Sequence, residues 1–443
     1  MANPRVCVWL AACCISSVAV AEVTGIPTLS SRPGAAYTMY LDFGGFDFSG
    51  TWGSTGLTPG NVPAFGNVTG SFNTASQDQI KETWARVAQK YTAFDINITT
   101  VDPAIAANQA GTDALRQAYY DQTSRLTHTV IADGTWYGAG GGVSYQGVAA
   151  DSWTTAEYNS GAGAGWHTNW VFTNYLAESP RYIGECIAHE DGHTLNLSHQ
   201  SDYNGTTKVN EYSAGNSAYA PIMGNPYGGA RGAWRVGDST NGNANHSQND
   251  LTVLAANPGL GGYVADGIGH TRLAATPLPL LGGAVDASVA KGVIVPLSST
   301  DPNPIGAGNY TSDVFSFHSV GTLFTLTVND GSEFLTTGIA DPGATLRSTL
   351  SILDSAGNVV AAGIEAASTF SESYSGILSS GDYFAVIASY GGETQTLAGY
   401  NTTQYYDMGS YFLTGSGFAT VPEPGIMLLG VMALGLIARR RRA

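Results

Sequence analysis

The chain has 443 residues, 43% of them apolar, and a formal net charge of −16. Such an acidic surface repels phosphate backbones, so nucleic acid is excluded as a partner. The length suits two domains, and the apolar share is too high for a disordered chain.

The N-terminus reads as an export signal. Arg5 precedes an apolar run from Val6 to Val20, and Ala19-Val20-Ala21 fits cleavage after Ala21. Leu10-Ala11-Ala12-Cys13 forms a lipobox-like tetrad, a competing reading in which Cys13 carries lipid. The run is too short to span a bilayer as an uncleaved anchor. Cys7, Cys13 and Cys14 all lie inside it, so the expected mature chain keeps Cys186 alone and has no internal disulfide. Removing residues 1–21 and 421–443 lowers Lys+Arg from 18 to 13 and Asp+Glu from 34 to 33, a net charge of −20. That balance fits a soluble exported protein. It also suits Ca2+, although no ligand spacing specifies a calcium site.

Tyr37 to Phe43 reads as a first strand. Ser76-Gln77-Asp78-Gln79 resembles a capping box, opening a helix with Ile80, Trp84, Val87 and Tyr91 on one side. Asp95 to Val101 alternates as a half-buried strand. Asp102-Pro103 begins a second helix expected to run through Leu115 and Tyr119. Thr127 to Ala132 and Asn169 to Asn174 are further strands. Gly140 to Gln146 is a glycine-rich approach to an edge strand. Such an edge could pair with an extended peptide, or form a plain hairpin, and both readings stay open.

Ser179-Pro180 then offers a helix cap and a first-turn proline. Ile183, Cys186, Ile187 and Leu195 supply an apolar face, while Gly184 and Gly192 lower helix propensity. Gly192 is read as serving close packing, and Cys186 as a small buried hydrophobe. On this helix sits His189-Glu190-Asp191-Gly192-His193. Residues four apart are separated by about 400° of rotation and roughly 6 Å of rise, so both imidazoles leave one face. Two such rings can share one zinc ion at about 2.0–2.1 Å. Glu190 falls beside the first ligand, where the base for a metal-activated water belongs. Asn196 tolerates the left-handed backbone, so a turn there swings His199 back as third ligand. His128, His167, His246 and His318 lack ligand spacing and read as ordinary structural or surface residues.

A loop region rich in Asn, Gly, Ser and Tyr follows, with Met223 24 residues beyond His199. The histidine run together with Met223 resembles the metzincin clan of zinc peptidases, over a plausible span of 37–260. The resemblance implies that His189, His193 and His199 bind Zn2+, that Glu190 is the base, and that Met223 floors the site. Asn196 stands where that clan usually has Gly. Tyr227 lies four residues after Met223, where some members place a functional tyrosine two residues on, and is read as loop packing. Ser247 to Leu254 caps and begins the last helix of this domain.

Beyond a linker at 276–289, beginning at Pro277 to Leu280, short alternating strands follow: 314–317, 324–328, 349–353 and 383–387. Asp354 to Gly357 and Ser379 to Asp382 read as turns. The inference is a β-sandwich over 290–420, similar to bacterial pre-peptidase C-terminal domains. The chain ends with Val421-Pro422-Glu423-Pro424, an apolar stretch from Ile426 to Ala438, and four arginines from Arg439 to Arg442. This tripartite tail resembles the PEP-CTERM sorting signal. It implies recognition by an exosortase at the envelope of a Gram-negative bacterium, with transient residence of a transmembrane helix; a single-pass tail anchor is the other reading.

The expectation is therefore an α+β fold. A metzincin-like catalytic domain at 22–275, a mixed sheet with an active-site helix, precedes the sandwich. The chain is expected to be an exported zinc endopeptidase acting on protein or peptide substrates. A matrix adhesion module with a vestigial zinc domain, and a zinc hydrolase of non-peptide bonds, are the alternatives.

Overall fold

The computed structural model describes residues 23–161, 164–240, 247–258, 260, 262–297, 310–331, 344–366, 370–391, 393–395 and 403–418. The expected signal peptide, the 421–443 sorting signal and His246 lie outside the described residues. No helix among the described residues is long and apolar enough to cross a membrane.

Strand accounts for 35% and helix for 19%, so the expected α+β class with a clear metzincin-like catalytic domain is corrected to a mostly β protein. The added strand comes from the region read as loop and from Ser247–Asn249, read as the opening of a helix that instead begins at Asp250, capped by Asn249. Asp202–Asn204, Thr207–Asn210, Tyr219–Pro221, Arg231–Ala233, Arg235–Asp238 and Ser247–Asn249 are strands of three or four residues. Strands so short carry too little alternation to be read from a sequence.

The N-terminal half is organised by one sheet. Strand β1 (Tyr37–Asp42), helix α1 (Thr74–Tyr91), β2 (Ile96–Thr99), β3 (Leu126–Ala132), β4 (Gly142–Val143), β5 (Thr168–Phe172) and helix α2 (Pro180–Thr194) follow in that order. The sheet runs β2-β1-β3-β5-β4. Its pairs are parallel, with Tyr37 opposite Ile96 and His128 opposite Thr168, except at β4, where Val143 faces Trp170 antiparallel. Helix α1 is capped by Asn73, whose side chain accepts from the Ser76 amide, so the cap lies three residues before the one expected. Ile80, Trp84, Val87 and Tyr91 are buried as their spacing requires, each contributing roughly 1.5–3 kcal/mol over exposure. The helix expected from Asp102 through Tyr119 is two, Pro103–Ala106 and Asp113–Gln122, each with its own N-cap, Asp102 and Thr112.

Helix α2 packs against both α1 and the sheet. Tyr91 donates to the Ala188 carbonyl at 2.8 Å, and Lys90 pairs with Glu185 at 2.9 Å in near-complete burial. From the sheet, Thr129 and Asn169 both donate to the buried Asp191 carboxylate, at 2.8 and 2.9 Å. These bonds tie α2 to both of its neighbours along the stretch that carries His189 and His193.

The C-terminal strands form two facing sheets. Ser312–Ser319, Gly381–Ser389 and Ser348–Leu353 are consecutive neighbours in one. Gly409–Ser416, Leu323–Asp330 and Glu372–Ile377 are consecutive in the other. Phe317 and Phe324 meet across the gap, ring centres 5.5 Å apart. The segment read as a linker is drawn into these sheets: Thr276–Pro277 pairs with the 312–319 strand, and Ala284 with Ser416. One continuous apolar core runs from Trp84 and Ile187 in the N-terminal half to Phe315, Leu350 and Leu413 in the sheets.

Candidate metal centre

His189 and His193 leave one face of α2, with ring centres 4.8 Å apart. The helix ends where Asn196 adopts φ 73°, and the Leu197 amide returns to the Gly192 carbonyl at 2.9 Å. Ser179 contributes no side-chain cap at the other end. The turn at Asn196 brings His199 back, its ring centre 4.7 Å from that of His193 and 5.3 Å from that of His189. The ligand atoms of the three rings all lie within 4.8 Å of one another. Tetrahedral ligation at about 2.0–2.1 Å needs a separation of roughly 3.4 Å, which small ring rotations can supply.

The outer nitrogen of each ring is already committed. His189 Nδ1 meets the Ile222 carbonyl at 2.8 Å, His193 Nδ1 the Leu197 carbonyl at 2.7 Å, and His199 Nδ1 a Glu211 carboxylate oxygen at 2.6 Å. A ring that donates through Nδ1 presents Nε2 as a lone-pair acceptor, so three Nε2 atoms converge. Orienting bonds of this kind are the usual support of a metal-binding imidazole. Burial, and then the neighbouring imidazoles, push His189 well down and His193 down to about 4. Both rings are therefore held neutral, the form that binds a metal. By donor set and orientation these residues fit a divalent cation of the zinc type.

Glu190 is buried beside them. Ser144 donates to its Oε2 at 2.7 Å. Gly142, on the edge strand β4, lets the carboxylate approach the backbone: a Cβ there would lie 2.7 Å from Oε1. Burial pushes the Glu190 carboxyl up to about 8, against the lowering bond from Ser144. Met223 is fully buried beneath α2, and a Cβ on Gly192 would lie 2.6 Å from its sulfur, so Gly192 makes room for this contact.

Tyr227 lies against α2. It packs edge-on against Tyr182 at 5.3 Å and bonds to the buried Cys186. His128 lies in an aromatic cage with Tyr40 and Phe46, and His167 sets both ring nitrogens against carbonyls, at 2.9 Å each. His318 is a surface residue, bonded to Asp382 at 2.7 Å.

Four contributors have no signature in the sequence: Ser144, Ile222, Glu211 and Tyr212. The Tyr212 ring stands 4.4 Å from that of His199 and 6.1 Å from that of His189. Glu211 is held by Thr240 at 2.7 Å and by Lys208 as well as by His199. Burial would raise its carboxyl, but bonds from Lys208, His199 and Thr240 outweigh that and hold it at about 2. It is an anion that orients His199. Replacing Glu211 by Ala is expected to weaken zinc binding by about 10–100-fold. Chelator competition reads this, and wild-type affinity in the variant would remove Glu211 from the account.

No family model and no curated protein matches the chain. Among solved structures it is similar to the pre-peptidase C-terminal domain of collagenase from Bacillus anthracis. That likeness has 14% identity and a TM-score of 0.15, over 24% of this chain and 76% of that one.

Proposed function

We propose that the protein is an exported zinc-dependent endopeptidase. One observation carries the reading: three imidazoles, each oriented through Nδ1, converge beside a buried carboxylate. A zinc ion held by His189, His193 and His199 would polarise a substrate carbonyl and acidify a water molecule.

Glu190 supplies the proton transfers. Its Oε2 is fixed by Ser144, and its carboxylate lies against the β4 backbone, so it enters the reaction already oriented. A carboxyl raised by burial accepts a proton readily, and a neighbouring cation pulls it back towards the carboxylate form. That balance suits a group that takes a proton from water and returns it to the departing amine. The open edge of β4 beside Glu190 offers backbone groups to an extended peptide. Met223 packs under the helix turn between the two ligands and keeps their spacing.

The terminal signals support export to the cell surface or matrix of a Gram-negative bacterium. Within that reading the tail is an exosortase substrate that resides in the inner membrane only in transit. Chelation tests the activity. Casein cleavage by the purified chain should be lost on dialysis against a strong chelator and restored by one equivalent of zinc. Cleavage that persists without metal sinks the proposal. A zinc-loaded chain that cleaves esters and no peptide identifies a hydrolase of another bond.

A further inference from the structure

The third ligand does not belong to a helix. His199 sits on a loop, and its position depends on what holds Gln200 and Ser201 behind it. The holder is Arg235, which is 1% exposed. Its Nε donates to Gln200 Oε1 at 2.7 Å, one Nη to Ser213 Oγ at 2.9 Å, and the other to the Ser201 carbonyl at 3.2 Å. Gln200 and Ser201 follow His199 directly, and Ser213 lies two residues past Glu211, the carboxylate that orients His199. One planar fork thus grips both chain segments that set the third ligand.

The network closes on itself. Gln200 also donates to Asp250 at 2.6 Å, and Asp250 accepts from the Arg235 amide at 3.0 Å. The Gln200 amide donates to the Met223 carbonyl at 2.7 Å, and the Ser213 amide to the Gln200 carbonyl at 2.8 Å.

The remaining side of Arg235 is occupied from the far end of the chain. Tyr405 pairs with Arg235 across an antiparallel ladder, and the Tyr406 amide donates to the Trp234 carbonyl at 2.9 Å. The Tyr405 side chain is fully buried. Its hydroxyl lies 3.5 Å from an Arg235 Nη, and its ring stacks on Tyr219 at 5.7 Å, four residues before Met223. Tyr405 therefore backs both the third-ligand loop and the segment that carries Met223.

We propose that the C-terminal β-domain is a working part of the metal centre, with Arg235 and Tyr405 as positioning residues that hold the His199 loop in its ligating place. The proposal rests on the metal-centre reading above. It makes metal binding and the seating of the Thr403–Tyr405 strand against Arg235 and Val236 two ends of one linkage: each strengthens the other by the same factor. Tyr405 keeps water from the guanidinium, so its donors are spent on the loop.

The test uses the full chain and reads zinc affinity by chelator competition, with the visible spectrum of the cobalt-substituted form as a measure of ligand geometry. Arg235→Lys keeps the charge and loses the fork; Tyr405→Ala removes the backing. Both are expected to bind zinc about 10–100-fold more weakly than wild type and to shift the cobalt spectrum. Leu350→Ala, in the buried core of the C-terminal sheets, is expected to lower the melting temperature and leave zinc affinity and spectrum unchanged. Should Tyr405→Ala fail to fold, Arg235→Lys decides. Wild-type zinc affinity in the folded variants overturns the proposal alone. A wild-type chain that binds no zinc overturns the metal-centre reading and this proposal with it.

Discussion

Replacing Glu190 by Gln is expected to leave zinc content at the wild-type level and to lower kcat by at least about 100-fold. The two side chains have nearly the same shape, so the amide can occupy the slot that Gly142 leaves open and can still accept the Ser144 hydroxyl bond. Burial penalises the charged carboxylate at this position, so a neutral amide costs the fold little. What the amide lacks is basicity: it takes no proton from water and returns none to an amine. Loss of turnover with retained metal and an unchanged circular-dichroism spectrum is the signature of a proton-transfer residue. Casein cleavage by the Gln variant at the wild-type rate removes Glu190 from the mechanism.

The second large effect is expected at His193. Replacing it by Ala should abolish stoichiometric zinc binding and all peptide cleavage while leaving the fold in place. The side chain is only partly buried, its one orienting bond is local, to the Leu197 carbonyl, and Ala is the better helix former. Two imidazoles remain, and a site reduced from three protein ligands to two loses both affinity and the geometry that leaves one position open. Replacing His318, an exposed imidazole bonded to Asp382, is the matched control, and it should retain a full equivalent of zinc. Equal metal content in the two variants, measured after dialysis against a weak chelator, would mean that His193 is not a ligand.

The two expectations separate chemistry from assembly. Glu190 is read as acting on the substrate, so its loss spares the metal. His193 is read as building the site, so its loss removes metal and activity together. Glu211, Arg235 and Tyr405 form a graded third group, expected to lower affinity without abolishing it.

The site was more legible in the sequence than the fold. His189 and His193 share a face because four residues on a helix make slightly more than one turn, and Asn196 turns the chain because its side chain tolerates positive φ. Both are local rules, and the structure brings the three histidines together through them. Glu211, Tyr212 and Ile222 reach the rings through long-range contacts that no spacing encodes. Arg235 and Tyr405 are 170 residues apart in the chain. The fold class failed for a related reason. Tyr219–Pro221 and Arg231–Ala233 pair in parallel over three residues, and the glycines and asparagines around them read as loop. The sequence also placed the cap of α1 at Ser76, when Asn73 does that work by accepting the Ser76 amide. A capping signature fixes the helix start only to within one turn unless its bonds are seen.

The metal centre rests on three imidazole nitrogens around one ion, which X-ray absorption at the zinc edge of the loaded, purified chain can read. One zinc per chain is expected, with a first shell of nitrogen and oxygen at about 2.0–2.1 Å and multiple scattering from three imidazoles. A sulfur scatterer at about 2.3 Å, which would place Cys186 in the first shell, or fewer than three imidazoles, would contradict it.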